Sequence, residues 1–361
     1  MSYAQGKPSR QQQRPPRSRK KRLLFYSIYL ILLIAIILPL GEMMARLLGH
    51  EPWKSTRDAS IRVEPSITFF TEHPTLGFAP RGGRVKFISP GKFEFSMTKL
   101  DNGLRITHPL ETYHASEKKK EVWIFGCSFT QGWFLADNET YPWLLQEKLP
   151  RYEVVNYGVS GYGTLQSLLQ LREALSEGKR PELVIVAYAG FHDQRNTLTR
   201  IWRKNISMAV SDIHASPYAR LDWHGRLEIS RQPLEYHGFP LRERYALAHA
   251  LEKACDNIAE HLYESHDVSK AILKEMLNLC RANGIKFVVA GISREDATAD
   301  MLEYCRREGI PATDISIDLN IKENNNLPFD AHPSAVADRQ YEQKIEAFLC
   351  EKFIETLSCA K

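Results

Sequence analysis

Four short stretches of this sequence carry side chains that could do chemistry: Gly126-Cys127-Ser128-Phe129-Thr130, Gly158-Val159-Ser160-Gly161-Tyr162-Gly163-Thr164, Gly190-Phe191-His192-Asp193 and Asp330-Ala331-His332-Pro333. A serine hydroxyl is a poor nucleophile until a neighbouring imidazole takes its proton. His332, with Asp330 two residues earlier, offers that base and a carboxylate to orient it. The oxyanion formed on attack needs preorganised donors, each worth about 3 to 4 kcal/mol of transition-state stabilisation. The backbone amides of Ser128 and Gly161 and a donor from His192 could supply them, and glycine at 161 lets the backbone approach a substrate carbonyl closely. These are the parts of an acyl-transfer site. Taken singly, each stretch has a plainer reading: a helix-capping serine, a tight strand-to-helix turn, a His-Pro turn. Their occurrence together and in order favours a hydrolytic site. Nucleotide binding is disfavoured, because the glycine pattern at 158–163 is not G-x-G-x-x-G and no Walker lysine follows.

To serve one site these residues must be brought to one rim, and the pattern around them provides the means. Val122 to Phe125 and Val154 to Tyr157 read as short strands, and Leu183 to Tyr188 is a continuous apolar run suited to the centre of a parallel sheet. Further strands are expected at Phe287 to Ala290 and Ala312 to Ile317. Helices are expected at Tyr141 to Leu149, Leu165 to Leu175, Tyr245 to Ser265, Val268 to Ala282, Arg294 to Arg307 and Ala335 to Phe353. Strand alternating with helix predicts an α/β sandwich with a mostly parallel sheet. Such sheets bind ligands at the carboxyl ends of their strands, where the first three stretches fall.

At these residues the chain resembles the SGNH/GDSL hydrolase family over about residues 120 to 355. The Gly-Asp-Ser block is similar to Gly126-Cys127-Ser128, the Asn-x-Gly block to Asn156 through Thr164, the Gly-x-Asn-Asp block to Gly190 through Asp193, and the last block to Asp330, His332 and Pro333. The resemblance implies a flavodoxin-like three-layer α/β/α sandwich, Ser128 as nucleophile, His332 and Asp330 as its base and orienting carboxylate, and an oxyanion hole from Ser128, Gly161 and position 192. Cys127 stands where the family has Asp, and His192 where it has Asn. A neutral histidine can donate as asparagine does, which preserves the role. Cys127 as the nucleophile is the weaker reading, since successive residues point differently and a thiolate needs a matched partner. No metal or organic cofactor is implied.

Charge and hydropathy place the site. The chain has 361 residues, 43% hydrophobic and 10% aromatic, enough for a large core and too apolar for general disorder. Its net charge is +5, but residues 1–22 hold eight basic residues and no acid, leaving 40 basic against 43 acidic residues in the rest. The basicity therefore belongs to a tail, not to a nucleic-acid-binding face. Leu23 to Leu40 follows as 18 uncharged residues, long enough at about 1.5 Å each to cross a hydrocarbon core. The positive-inside rule puts the tail in the cytoplasm and the rest outside the inner membrane. The expected organisation is a disordered tail (1–22), a transmembrane signal anchor (23–41), a juxtamembrane linker with accessory strands (42–117), and a hydrolase-like domain (118–357) with an insertion at 191–245. Trp202, Tyr218, Trp223 and Tyr236 of the insertion could stack on a sugar, though packing is the commoner use of large rings. The six cysteines show no metal-ligand spacing, so single buried thiols are expected. The function that follows is a membrane-anchored serine esterase cleaving an acyl ester on a glycan or lipid. A polysaccharide O-acetyltransferase of the alginate type using the same site and a non-catalytic scaffold remain as alternatives.

Overall fold

The computed structural model describes residues 19–54, 62–66, 69–88, 94–114, 119–209 and 213–357. The chain divides into two compact units, one of Met1–Ser55 with Gly238–Ala254 and one of Thr56–His237 with Cys255–Lys361. Helix α1 (Arg19–Leu47) opens the first unit. Its 18-residue apolar core has a mean hydropathy of 2.7 and is unburied, which makes it a candidate membrane span. It starts four residues before the apolar run, so the last basic residues of the expected disordered tail are helical: Arg and Lys are good helix formers and extend a helix already nucleated. Residues 1–18 lie outside the described residues.

The second unit begins with accessory strands. These are β1 (Arg62–Glu64), β2 (Phe70–His73), β3 (Gly77–Pro80), β4 (Gly83–Ile88) and β5 (Glu94–Lys99), with β1-β4-β5 an antiparallel sheet and β2-β3 a hairpin. Next come β6 (Lys120–Phe125), α2 (Ser128–Gln131), α3 (Tyr141–Lys148), β7 (Tyr152–Asn156), α4 (Thr164–Ser176), β8 (Leu183–Tyr188), α5 (His192–Asn196) and α6 (Arg200–Ala209). The hairpin of β9 (Ala215–Leu221) and β10 (Leu227–Pro233) follows. After it come α7 (Ala246–Leu262), which begins in the first unit, α8 (Ser265–Ala282), β11 (Lys286–Gly291), α9 (Asp296–Arg307), β12 (Ala312–Asp314), the short pair β13 (Asn325–Asn326) and β14 (Asp330–Pro333), and α10 (Ala335–Leu357).

Five parallel strands in the order β7-β6-β8-β11-β12 form the central sheet. Counted along the chain this is 2-1-3-4-5, the flavodoxin-like order, whose switch point lies between β6 and β8. Side-chain alternation explains the three layers. Val122 and Ile124 of β6 face a core with Tyr141 and Leu145 of α3 and Tyr341 and Ile345 of α10. Trp123 and Phe125 face the opposite core, with Leu165 and Leu168 of α4 and Ile272 and Met276 of α8. Every residue of β8 is buried, as a strand covered on both faces must be.

Three expectations change. The last strand ends at Asp314 instead of Ile317, because the Asp314 carboxylate accepts the Ser316 N–H (2.8 Å) and turns the chain out of the sheet. The insertion expected at 191–245 is split. Residues 191–237 belong to the second unit, where Trp202 and Tyr218 pack on its core and Trp223 is exposed, whereas the segment from Gly238 belongs with α1. Single buried thiols hold for Cys127, Cys280 and Cys305, but Cys255 is exposed on α7 and Cys350 is disulfide-bonded, a pairing that spacing alone does not reveal. Cys359 lies outside the described residues.

One buried charge ties the accessory strands to the sheet. The Arg105 side chain is fully buried and donates to the carbonyls of Gln131 (2.8 Å), Gly132 (2.5 Å) and Leu135 (2.7 Å), and to Asp137 Oδ1 (3.0 Å). Removing one partner of such a buried set leaves the others unsatisfied. Arg105→Met should therefore lower stability by about 3 to 5 kcal/mol in urea titration of the detergent-solubilised chain; a loss below about 1 kcal/mol would place it among ordinary surface substitutions.

Candidate active site

Ser128 is the first residue of α2, immediately beyond the end of β6, so its position is set by how the loops after β6 and β7 lock together. Asn156, the last residue of β7, donates from Nδ2 to the Thr130 carbonyl (3.0 Å), while its Oδ1 accepts the Gly158 N–H (2.9 Å). Gly158 permits the close approach: a Cβ there would lie 2.6 Å from the Gln131 nitrogen. Gln131 Oε1 accepts from the Ser160 N–H (3.1 Å) and hydroxyl (2.5 Å), and the Tyr141 hydroxyl donates to Thr130 Oγ1 (2.9 Å). The turn carrying the serine thus rests on a fully bonded polar floor.

Residues 204 apart in sequence meet above that floor. His332 Nε2 lies 2.9 Å from Ser128 Oγ, and His332 Nδ1 lies 2.5 Å from Asp330 Oδ1. Asp330 Oδ1 also accepts the His332 backbone N–H (2.7 Å). Burial works to raise the Asp330 pKa, but the hydrogen bonds and charge of His332, with a further bond from the Trp133 side chain, hold it below the usual carboxylate value. An ionised Asp330 keeps the proton on Nδ1 and leaves Nε2 to accept from the serine. Phe129 and Trp133 flank the imidazole, with ring centroids 5.7 and 6.4 Å away. The structure therefore joins Ser128, His332 and Asp330 in one hydrogen-bonded line.

The expected oxyanion donors sit at the neighbouring strand ends. Gly161 has φ of +86°, a conformation that favours glycine, and a Cβ there would approach Ile206 and Phe78. Neither its amide nor that of Ser128 donates to an acceptor among the described residues. His192 is 1% exposed at the start of α5. The Ala189 N–H donates to its Nδ1 (3.5 Å), which leaves the ring proton on Nε2, and Nε2 is buried with no partner among the described residues. Burial and the adjacent charge of Arg195 push its pKa well below 6.5, so the ring is neutral. A buried, unpartnered donor is costly, as expected where a ligand completes the bond. Asp193, the neighbour of His192, is turned away: it accepts from Tyr188 (2.6 Å), Ser269 (2.5 Å) and His266 (2.8 Å) and fastens α5 to α8.

Sequence reasoning missed two residues here. Trp133 bonds Asp330, and Arg195 stacks between Phe191 and Trp202 (4.5 Å to each ring), donates to the Tyr162 carbonyl (2.8 Å) and reaches the Cys127 side chain. The one available signal was their closeness in sequence, five residues after Ser128 and three after His192. Among the described residues no group of three or more His, Cys, Asp or Glu side chains is arranged to hold a metal ion.

No protein-family model matches the chain, and no curated protein does. Solved structures do resemble it. The structural neighbours are G-D-S-L lipolytic proteins and SGNH esterases. A member of the lipolytic protein G-D-S-L family from Veillonella parvula DSM 2008 is 10% identical over 65% of this chain and 98% of its own, with a TM-score of 0.36. AlinE4, an SGNH-hydrolase family esterase, is 16% identical over 55% of this chain and 77% of its own, with a TM-score of 0.30. LAE5, an alpha/beta hydrolase enzyme from the metagenome of Lake Arreo, Spain, is 14% identical over 63% and 94%, with a TM-score of 0.37.

The neutral His192 has a consequence for pH. Below pH 6.5 the unfolded chain takes up a proton at this imidazole and the folded chain does not, so stability falls as pH falls, by up to about 1.4 kcal/mol per pH unit. His192→Asn removes this uptake. Between pH 6.5 and 5.0 the variant should lose about 1 to 2 kcal/mol less than wild type, read from urea midpoints; equal losses would mean that His192 titrates normally in the fold.

Proposed function

We propose that this chain is a membrane-anchored serine esterase that cleaves an acyl ester on a glycan or lipid outside the cytoplasmic membrane, through an acyl-Ser128 intermediate. The hydrogen-bonded line from Asp330 through His332 to Ser128 at the strand ends carries the reading. His332 Nε2 takes the Ser128 proton as Oγ attacks the ester carbonyl. The carbonyl oxygen gains charge, which the amides of Ser128 and Gly161 and the Nε2–H of His192 stabilise. Collapse of the tetrahedral adduct transfers the proton from His332 to the departing alkoxide and leaves the acyl group on Ser128. Water, deprotonated by His332, then attacks the acyl-enzyme and releases the carboxylic acid and free Ser128.

The extracytoplasmic placement is supported by the basic residues before the candidate span and the near-neutral composition after it. Transfer to a sugar hydroxyl shares the covalent step and differs only in what attacks the acyl-enzyme.

Full-length protein in detergent should form a Ser128 adduct with a fluorophosphonate and hydrolyse p-nitrophenyl acetate. Ser128→Ala should abolish the adduct and lower turnover at least about a thousandfold, with Cys127→Ala close to wild type and His192→Ala down about a hundredfold or more. Absence of a Ser128-dependent adduct would support the scaffold reading instead, and a dead Cys127→Ala beside an active Ser128→Ala would move the nucleophile to the thiol. With an oligosaccharide present, acyl groups appearing on sugar instead of in water would make it a transferase.

A further inference from the structure

Segment 238–254 of the first unit folds against the end of α1. Glu42 accepts the first two amides of α7, those of Ala246 (3.1 Å) and Leu247 (2.8 Å), and so caps that helix. Leu247 lies over Gly41, where a Cβ would come within 2.9 Å of it. The Trp53 N–H donates to the Arg242 carbonyl (2.9 Å), the Arg242 guanidinium stacks over the Trp53 ring (4.3 Å), and His249 bonds the Glu51 carbonyl (2.7 Å).

What this docking leaves outside is apolar. Leu241 is 63% exposed and Leu251 51%, and they continue a band of exposed side chains at the end of α1 and just beyond it: Met43, Met44, Leu47 and Leu48. Between the two segments lies a groove of about 710 Å³, walled by Leu38, Pro39, Met43, Leu241, Tyr245 and Leu251. Patches of this kind on a protein mark an interaction site. The occupant follows from position. The apolar run ends at Leu40, so Glu42 and the start of α7 stand where the hydrocarbon gives way to headgroups. Tyr245, with the exposed Arg244 packed along it (5.8 Å), has the aromatic and basic character that settles at that level.

We propose that residues 239–251 form an interfacial foot whose groove against α1 is filled by phospholipid acyl chains, giving the chain a second hold on the bilayer beside the span. The amphipathic start of α7 then lies in the membrane surface with its apolar side down. This rests on α1 crossing the membrane and is independent of the ester chemistry.

The test uses the full chain with Cys255→Ser, reconstituted into phosphatidylcholine–phosphatidylglycerol vesicles and spin-labelled singly at Leu241→Cys, Leu251→Cys or Ile34→Cys. Collision rates with oxygen and a water-soluble nickel chelate report depth. At positions 241 and 251 oxygen should dominate, as at position 34. If position 34 is lipid-exposed but 241 and 251 meet the nickel chelate, the foot is refuted and the span stands; if position 34 also meets the chelate, the span reading fails and the foot with it. Low collision with both reagents at 241 and 251 would mean that protein covers the groove, which also overturns the proposal.

Discussion

The site depends on a charge that never touches it. Arg105 leaves the accessory strands fully buried, and burial lowers its pKa because the interior disfavours the cation, an effect opposed by Asp137. Such a group is tolerable only if every donor finds a partner, and the partners are the carbonyls of the loop that follows α2. That loop carries Trp133, which bonds Asp330, which orients His332. The same Asp137 carboxylate that takes the guanidinium accepts the Thr98 N–H (3.0 Å) of β5. The accessory sheet, the Ser128 turn and His332 are thus linked through one guanidinium, and the strands before β6 act as part of the frame around them.

The parallel sheet supplies the other constraint. In the 2-1-3-4-5 order the connections after β6 and β8 diverge at the switch point, and the loop after β7 bonds the α2 turn through Ser160 and Gln131. The order brings Ser128, Gly161 and His192 from three successive loops to one rim without any of them being near in sequence. The fourth contributor, the β13–β14 pair, lies outside the sheet and presents His332 from a short hairpin held by Asn326, whose side chain donates to the carbonyls of His332 (3.3 Å) and Pro333 (2.9 Å). A loop stiffened in this way can hold the imidazole against Ser128 where a free loop would not.

Much of this was legible in the sequence, and the reason is periodicity. Strands β6, β8 and β11 are buried on both faces and read as unbroken apolar runs, and helices α4, α8 and α9 announce themselves by spacing. The glycines and hydroxyl residues at the strand ends stand out against those runs, so Ser128, Gly161, His192 and His332 could be named before their contacts were seen. Arg105, Trp133 and Arg195 could not. A buried arginine bonded to carbonyls 26 to 30 residues away leaves no periodic trace, and neither does the return of segment 238–254 to α1 across some 200 residues of chain. Contacts of this kind are fixed by tertiary packing, which local pattern does not encode.

Cys127 and His192 have one neighbour in common, Arg195. Arg195 reaches the Cys127 side chain on one side and depresses the His192 pKa on the other. The Arg195 charge acts on His192, where it adds to burial in keeping the imidazole neutral. A neutral ring with its proton on Nε2 offers one directed N–H donor. The guanidinium, held between Phe191 and Trp202, keeps a fixed positive charge beside His192. Cys127 and His192 thus share one electrostatic neighbour, the buried cation of Arg195.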